Sequence, residues 1–177
     1  MSRGTESGIS LIETVIAAGV LSVGMLGAAA VFTTGMQHVG GSPADVTASQ
    51  KAVEAIESVI SARDTHKLTW SQIRNIRGVS GNDGGIFLDG PQPLRTAGAD
   101  GLVNTADDGA IETVTLPGPD QKMFTADDET ITLDNYTREI QIVDVETDLR
   151  SITVIVKYHI GARLQTFTMT TYISNFS

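Results

Sequence analysis

Eighteen consecutive residues, Val15 to Phe32 (VIAAGVLSVGMLGAAAVF), contain one polar side chain, Ser22. As an α-helix at ~1.5 Å per residue this run is about 27 Å long, close to the hydrocarbon thickness of a bilayer. In a chain of 177 residues, such a segment leaves room for one soluble domain beyond it. Aromatic residues are only 5% and charged residues 19%, so that domain can bury a core, though a modest one. The chain has no cysteine, which excludes disulfides, thiolate metal sites and thiol nucleophiles.

The apolar run extends upstream through Ile9, Leu11 and Ile12, interrupted by Ser10, Glu13 and Thr14. It admits three readings. A cleaved secretory signal would use Arg3 as its basic end and cut after Ala28-Ala29-Ala30, so that the mature chain starts at Val31; but Glu6 cancels Arg3, and Glu13 places a carboxylate at the mouth of the run. A plain anchor would have Glu13 reaching back to water at the interface. The third reading rests on the order Gly8-Ile9-Ser10-Leu11-Ile12-Glu13.

That hexapeptide resembles the prepilin cleavage motif of type IV pilins and type II secretion pseudopilins. The stretch SLIETVIAAGVLSVGMLGAAA is most similar to minor pilins of the PilV type. The resemblance implies a leader at residues 1–8, cleavage after Gly8 by a prepilin peptidase, and N-methylation of the new N-terminus, Ile9. Ile9 stands where family members usually carry phenylalanine. Glu13 becomes the fifth mature residue, which in the family pairs with the N-terminal amine of a neighbouring subunit. A carboxylate at membrane depth costs roughly 2.5–3.5 kcal/mol on insertion scales, so a partner supplied by assembly would offset a real penalty. The small residues Ala17, Ala18, Gly19, Gly24, Gly27, Ala28, Ala29 and Ala30 allow close helix packing, as they also do in unrelated membrane helices. The implied role is a minor pilin in type IV pilus assembly, with a type II secretion pseudopilin as the alternative within the superfamily. Its partners would be other pilin subunits, the inner-membrane assembly platform, the prepilin peptidase and the bilayer. It would reside in a bacterial inner membrane with its head outside the cytoplasm, and at the cell surface in the assembled pilus.

Residues 9–40 are thus expected to form the transmembrane and polymerisation helix, and residues 41–177 the soluble head. Gly40-Gly41-Ser42-Pro43 predicts a helix break at 40–43, with Ser42 as N-cap, Pro43 at the first helical position and Asp45 in the first turn. A second helix is expected over 44–63. Its apolar face would be Val46, Val53, Ile56 and Ile60, with Lys51, Glu54, Glu57 and Arg63 outward. Leu68–Ile76 reads as a short helix capped by Thr69, with Trp70 as a core anchor. Residues 78–132 read as an acidic variable loop region, and 136–173 as antiparallel sheet. Within that sheet Ile140 and Ile142 alternate on one strand. Ile152, Val154, Val156, Tyr158 and Ile160 share a face of the next, and Gly161-Ala162-Arg163 turns into Leu164–Ile173. The fold class is α+β and pilin-like: a long N-terminal membrane helix followed by a small antiparallel β-sheet head.

Formal net charge is −9, concentrated from Asp83 to Glu129, where ten acidic residues face only Arg95 and Lys122. Such a surface repels phosphates, so nucleic acid is not a partner for it, and it attracts cations. Inside it lies a repeat of period twenty. Gly98-Ala99-Asp100 with Thr105-Ala106-Asp107-Asp108 recurs as Gly118-Pro119-Asp120 with Thr125-Ala126-Asp127-Asp128. The repeat resembles the GxDGxxGTxDD loops of bacterial extracellular proteins, which implies calcium, a cation that takes six to eight oxygens. The candidate ligands are Asp100, Asp107, Asp108, Asp120, Asp127 and Asp128. The first copy keeps Gly101 but has Asn104 at the third glycine, and the second has Gln121 and Phe124 at those places. An EF-hand is excluded, because Ile111 and Ile131 stand where a bidentate glutamate is needed. The alternative is a pair of turns whose aspartates cap their own backbone. A secreted calcium-binding domain behind a cleaved signal peptide is the corresponding function from another class.

No enzymatic role is expected. His38, His66 and His159 are scattered without metal-ligand spacing, and no GxSxG, Walker A or HExxH pattern occurs.

Overall fold

The computed structural model describes residues 11–175, the side chains of residues 32–42 excepted. Between Ser42 and Pro43 the chain divides into two compact units. One helix, α1, covers Leu11–Asp64. The expected break at 40–43 is therefore corrected: helical backbone runs through it, with Pro43 inside and Ser42 not at a helix start. Proline lacks the N–H that would bond the carbonyl four residues earlier, so one bond of the ladder is missing there. Helix on both sides has already met the cost of nucleation, and one missing bond does not end it.

In the first unit, Leu11–Val31 is apolar enough to cross a membrane and none of it is buried within the chain. It is the one such helix among the described residues.

The second unit holds the core. Its part of α1 buries Ala48, Ala52, Ala55, Ile56, Val59 and Ala62, while Val46 and Val53 stay exposed. Of the apolar face expected from the sequence, Ile56 and Ile60 pack on the core, whereas Val46 and Val53 give way to alanines. The alanine row lets the helix lie close to a sheet that supplies the volume through Ile140, Ile142, Ile152, Val154 and Val156, all buried. Lys51 is also corrected: its ammonium pairs with Glu54 at 2.7 Å and with Glu112.

The short helix expected at 68–76 shrinks to one 3₁₀ turn, Trp70–Gln72. The side-chain oxygen of Gln72 accepts from the backbone N–H of Thr69 at 2.9 Å, fixing its start. Trp70 is half-buried against the core, with the Arg150 guanidinium 4.0 Å over its ring.

Among the described residues six strands follow: β1 (Gln92–Pro93), β2 (Thr113–Leu116), β3 (Glu129–Thr132), β4 (Tyr136–Glu146), β5 (Leu149–Ile160) and β6 (Arg163–Ser174). The main sheet is antiparallel in the order β1-β4-β5-β6. β5 buries Arg150, Ile152, Val154, Val156 and Tyr158 at every second position, as its alternating pattern requires. Gly161-Ala162 joins β5 to β6 by a two-residue turn, with Gly161 at φ +60°. Residues 78–132 are not simply loop. Phe87, Leu94, Leu102 and Val103 belong to the core, and β2 and β3 pair as a separate antiparallel ribbon. β2 carries only two strongly apolar residues and β3 one, too few for their periodicity to register in the sequence.

Candidate functional site

Gly8 and Ile9 lie outside the described residues. Glu13 occupies the first turn of α1, where a carboxylate is favoured by the helix dipole, and it is exposed. The other polar side chains of the apolar stretch are satisfied within the helix. The Thr14 hydroxyl donates to the carbonyl of Leu11 at 2.8 Å and the Ser22 hydroxyl to that of Ala18 at 2.7 Å. Glu13 is thus left as the polar feature of an otherwise apolar surface. Around Gly19, Gly24 and Gly27 there is nothing within 4 Å of where a Cβ would stand.

In the head, the two copies of the acidic repeat fold alike. The Asp100 carboxylate accepts from the N–H of Leu102 at 2.8 Å, and Asp120 from that of Lys122 at 2.9 Å. Asp107 accepts from the N–H of Asp100 at 3.4 Å and the hydroxyl of Thr105 at 2.8 Å. Asp127 repeats this with the N–H of Asp120 at 3.3 Å and the hydroxyl of Thr125 at 2.7 Å. Asp108 caps the N–H groups of Asn104 at 2.8 Å and Thr105 at 3.1 Å. Asp128 caps those of Phe124 at 2.6 Å and Thr125 at 3.3 Å.

This scaffold explains the glycine pattern. Residues 101 and 121 have φ +76° and +57°, and residues 104 and 124 have φ +60° and +67°, the left-handed region that glycine enters freely. A Cβ on Gly98 would stand 2.4 Å from the Asp107 carboxylate, and one on Gly118 only 2.3 Å from Asp127. The hydroxyls of Thr105 and Thr125 hold the pKa of Asp107 and Asp127 below the usual carboxylate value, with the backbone N–H groups adding to the effect. The six aspartates are therefore placed as caps of their own backbone. Among the described residues no three acidic or histidine side chains gather as ligands for a metal ion.

Behind the first copy lies a buried polar cluster that the sequence reading missed. Arg138 of β4 is fully buried and donates to the side-chain oxygen of Asn104 at 2.7 Å and to the carbonyl of Arg95 at 3.2 Å. Asn104 returns a bond from its amide to the carbonyl of Arg138 at 2.8 Å. Glu112 sits 3.7 Å from the Arg138 guanidinium and also meets Lys51. Burial lowers the Arg138 pKa against the pull of Glu112, while Lys51 is raised because its bonds to Glu112 and Glu54 outweigh burial. Asparagine tolerates the left-handed conformation, so Asn104 serves the turn with its backbone and the sheet with its side chain. Its replacement of a motif glycine was the one available signal.

A second polar cluster organises the far end of β4. Asp144 accepts from Arg74 and Arg150, each at 2.5 Å, and Arg150 also donates to the carbonyls of Trp70 and Ile73. Near the start of the head, Tyr158 stacks on Tyr136 with ring centroids 5.3 Å apart and donates to Asp45 at 2.5 Å. Burial and Asp45 push the Tyr158 pKa up to about 12.

A groove of about 310 Å³ between the 78–90 loop and β4 is lined by Asn75, Gly78, Asp89, Glu139 and Ile142 among others. Asp89 spends its oxygens there on the N–H groups of Arg77 and Gly78, both at 2.9 Å. No protein-family model, no curated protein and no solved structure matches the chain.

Proposed function

We propose that the chain is a pilin-type membrane subunit, of the minor pilin class, which is processed after Gly8 and takes part in assembling a type IV pilus. The observation that carries this reading is Glu13: one carboxylate at the start of a 21-residue apolar helix, fifth from the residue that cleavage would expose. Within the described residues Glu13 has no cation beside it. The freed amine of Ile9 on a neighbouring subunit would supply one, and removing one member of a buried pair of that kind typically costs about 3–5 kcal/mol. The role is structural, with no catalysis by the chain itself. The head would sit outside the cytoplasm, presented by a helix anchored in the inner membrane until assembly.

The test is the mass of the mature N-terminus from membranes of a host with a prepilin peptidase. A chain beginning at Ile9 with one added methyl supports the reading, and a chain beginning at Val31 or retaining Met1 overturns it. Gly8→Val should keep the leader. Glu13→Ala should still insert in the membrane but lose incorporation into filaments or methylation of Ile9.

A further inference from the structure

We propose that the free edge of β6 is a homotypic docking edge, where a second copy of this chain adds its own β6 in antiparallel register centred on Thr168. The inference is independent of the pilus reading.

The two edges of the main sheet are treated differently. On β4, β1 pairs with Thr137 and Arg138. Beyond it the Asn75 side chain takes over the pairing, donating to the carbonyl of Ile140 and accepting from the N–H of Ile142, both at 2.8 Å. Among the described residues β6 has no strand or side chain paired along its outer edge short of Ser174. From Leu164 to Ser174 it contains no charged residue, no proline and no bulge, the devices that usually protect an edge.

The orientation of the edge follows from two hydrogen bonds. The N–H of Asn175 donates to the carbonyl of Asp148, on the β5 side. Pleat alternation then turns the N–H and C=O groups of Leu164, Thr166, Thr168, Thr170 and Tyr172 outward. Arg63 caps the carbonyl of Ser174 at 3.2 Å and closes the edge there. The outward set is symmetric about Thr168, so a two-fold axis at that residue pairs Leu164 with Tyr172, Thr166 with Thr170, and Thr168 with itself. Facing pairs that exchange both bonds give about ten main-chain hydrogen bonds in all.

The side chains match in the same register. On the outer face Leu164 and Tyr172, 55% and 63% exposed, meet across the axis, with threonines opposite threonines between them. On the inner face Phe167 meets Met169, both only partly covered in a single copy. Charge selects the same partner. The chain carries −9, yet this edge is neutral, and Arg163 at its start points toward the end that holds Asp148 of the other copy. Two arginines at that end are already paired within their own copy, Arg63 with Asp64 at 2.7 Å and Arg150 with Asp144 at 2.5 Å.

The absence of cysteine makes the test direct. Single cysteines are placed in the full chain in detergent, and covalent dimers are followed during mild oxidation. Thr168→Cys should cross-link about tenfold faster than the exposed control Gln141→Cys on β4, because pairing raises the local thiol concentration. Thr166→Cys mixed with Thr170→Cys should form the mixed dimer faster than either forms its own, and adding Thr168→Lys to both chains should remove that advantage. Thr168→Cys no faster than Gln141→Cys would overturn the proposal. So would a mixture no faster than its components, the result expected if the apolar helices alone bring copies together.

Discussion

The two copies of the acidic repeat share a backbone and differ in what stands behind it. In the first, Leu102, Val103, Asn104 and Thr105 are buried, and Asn104 locks to Arg138 in both directions. In the second, the equivalent stretch is Lys122, Met123, Phe124 and Thr125, and Phe124 is 93% exposed although it sits at φ +67°. The capping scaffold, Gly98–Asp108 in one copy and Gly118–Asp128 in the other, is thus a local object that forms with or without a buried floor. The second copy instead closes the β2–β3 ribbon, which offers no buried floor.

That contrast is open to direct attack by thermal unfolding of the full chain in detergent. The largest effect is expected from Arg138→Met. It removes the partner of Asn104 and leaves Glu112 in the interior with Lys51 alone, a loss of about 3 kcal/mol, at the low end for breaking a buried pair. A drop in Tm of under a few degrees would mean that the first copy does not depend on its anchor.

Replacing the third-glycine position should act with opposite sign in the two copies. Asn104→Gly keeps the backbone conformation but forfeits two buried hydrogen bonds, costing about 1–2 kcal/mol. Phe124→Gly relieves a left-handed phenylalanine and should raise stability by about 0.5–1 kcal/mol, the strain relief less the entropy of glycine. Two changes of the same sign would break the comparison.

The caps themselves should differ by degree. Asp108→Ala strands N–H groups of buried residues and should cost about 1 kcal/mol, whereas Asp128→Ala leaves N–H groups that water can reach and should cost less than about 0.5 kcal/mol. Amide hydrogen exchange at Asn104 and Phe124 reads the two losses separately.

The smallest effects concern protons and cations. Asp107 and Asp127 ionise at lower pH in the folded chain than unfolded. Their contribution is therefore present above the unfolded pKa of about 3.9 and lost as pH falls through the folded value. Tm should be level from about pH 5 to 7 and decline below about 4, and Asp107→Asn with Asp127→Asn should flatten the decline. With the carboxylates committed to N–H groups and hydroxyls, melting in chelator, in calcium and in magnesium should coincide. A calcium shift abolished by Asp107→Ala would place a cation in the first copy and reopen the resemblance to calcium loops.

Legibility in the sequence followed periodicity. β4, β5 and β6 could be read within about three residues of their ends because Ile140, Ile142, Ile152, Val154 and Val156 alternate strictly. The packed face of α1 could be read only in part, through Ile56 and Ile60, since alanine carries little hydrophobic weight and Val46 and Val53 stay exposed. The turn at 40–43 was over-read: glycine and proline lower helix propensity, but propensity is a weak prior beside flanking helix. In the acidic repeat the residues and their spacing were visible. The glycine positions of the motif mark the left-handed residues 101, 104, 121 and 124, but they do not decide whether the carboxylate oxygens turn to a cation or to N–H groups. The Arg138–Asn104–Glu112 cluster joins residues far apart in the chain, and sequence spacing carries no trace of it.

The alanine row on α1 has a consequence for how the helix is located. Ala48, Ala52, Ala55, Val59 and Ala62 recur at steps of four and three, so sliding the helix by one turn, about 5.4 Å, brings small residues over nearly the same places. Hydrophobic contact alone would scarcely distinguish the two positions. Polar contacts break the tie, spread along the helix like pins through a ruler, among them Tyr158 to Asp45, Glu112 to Lys51, and the carbonyl of Ser174 to Arg63. The smooth seam gives adhesion, and the pins give position.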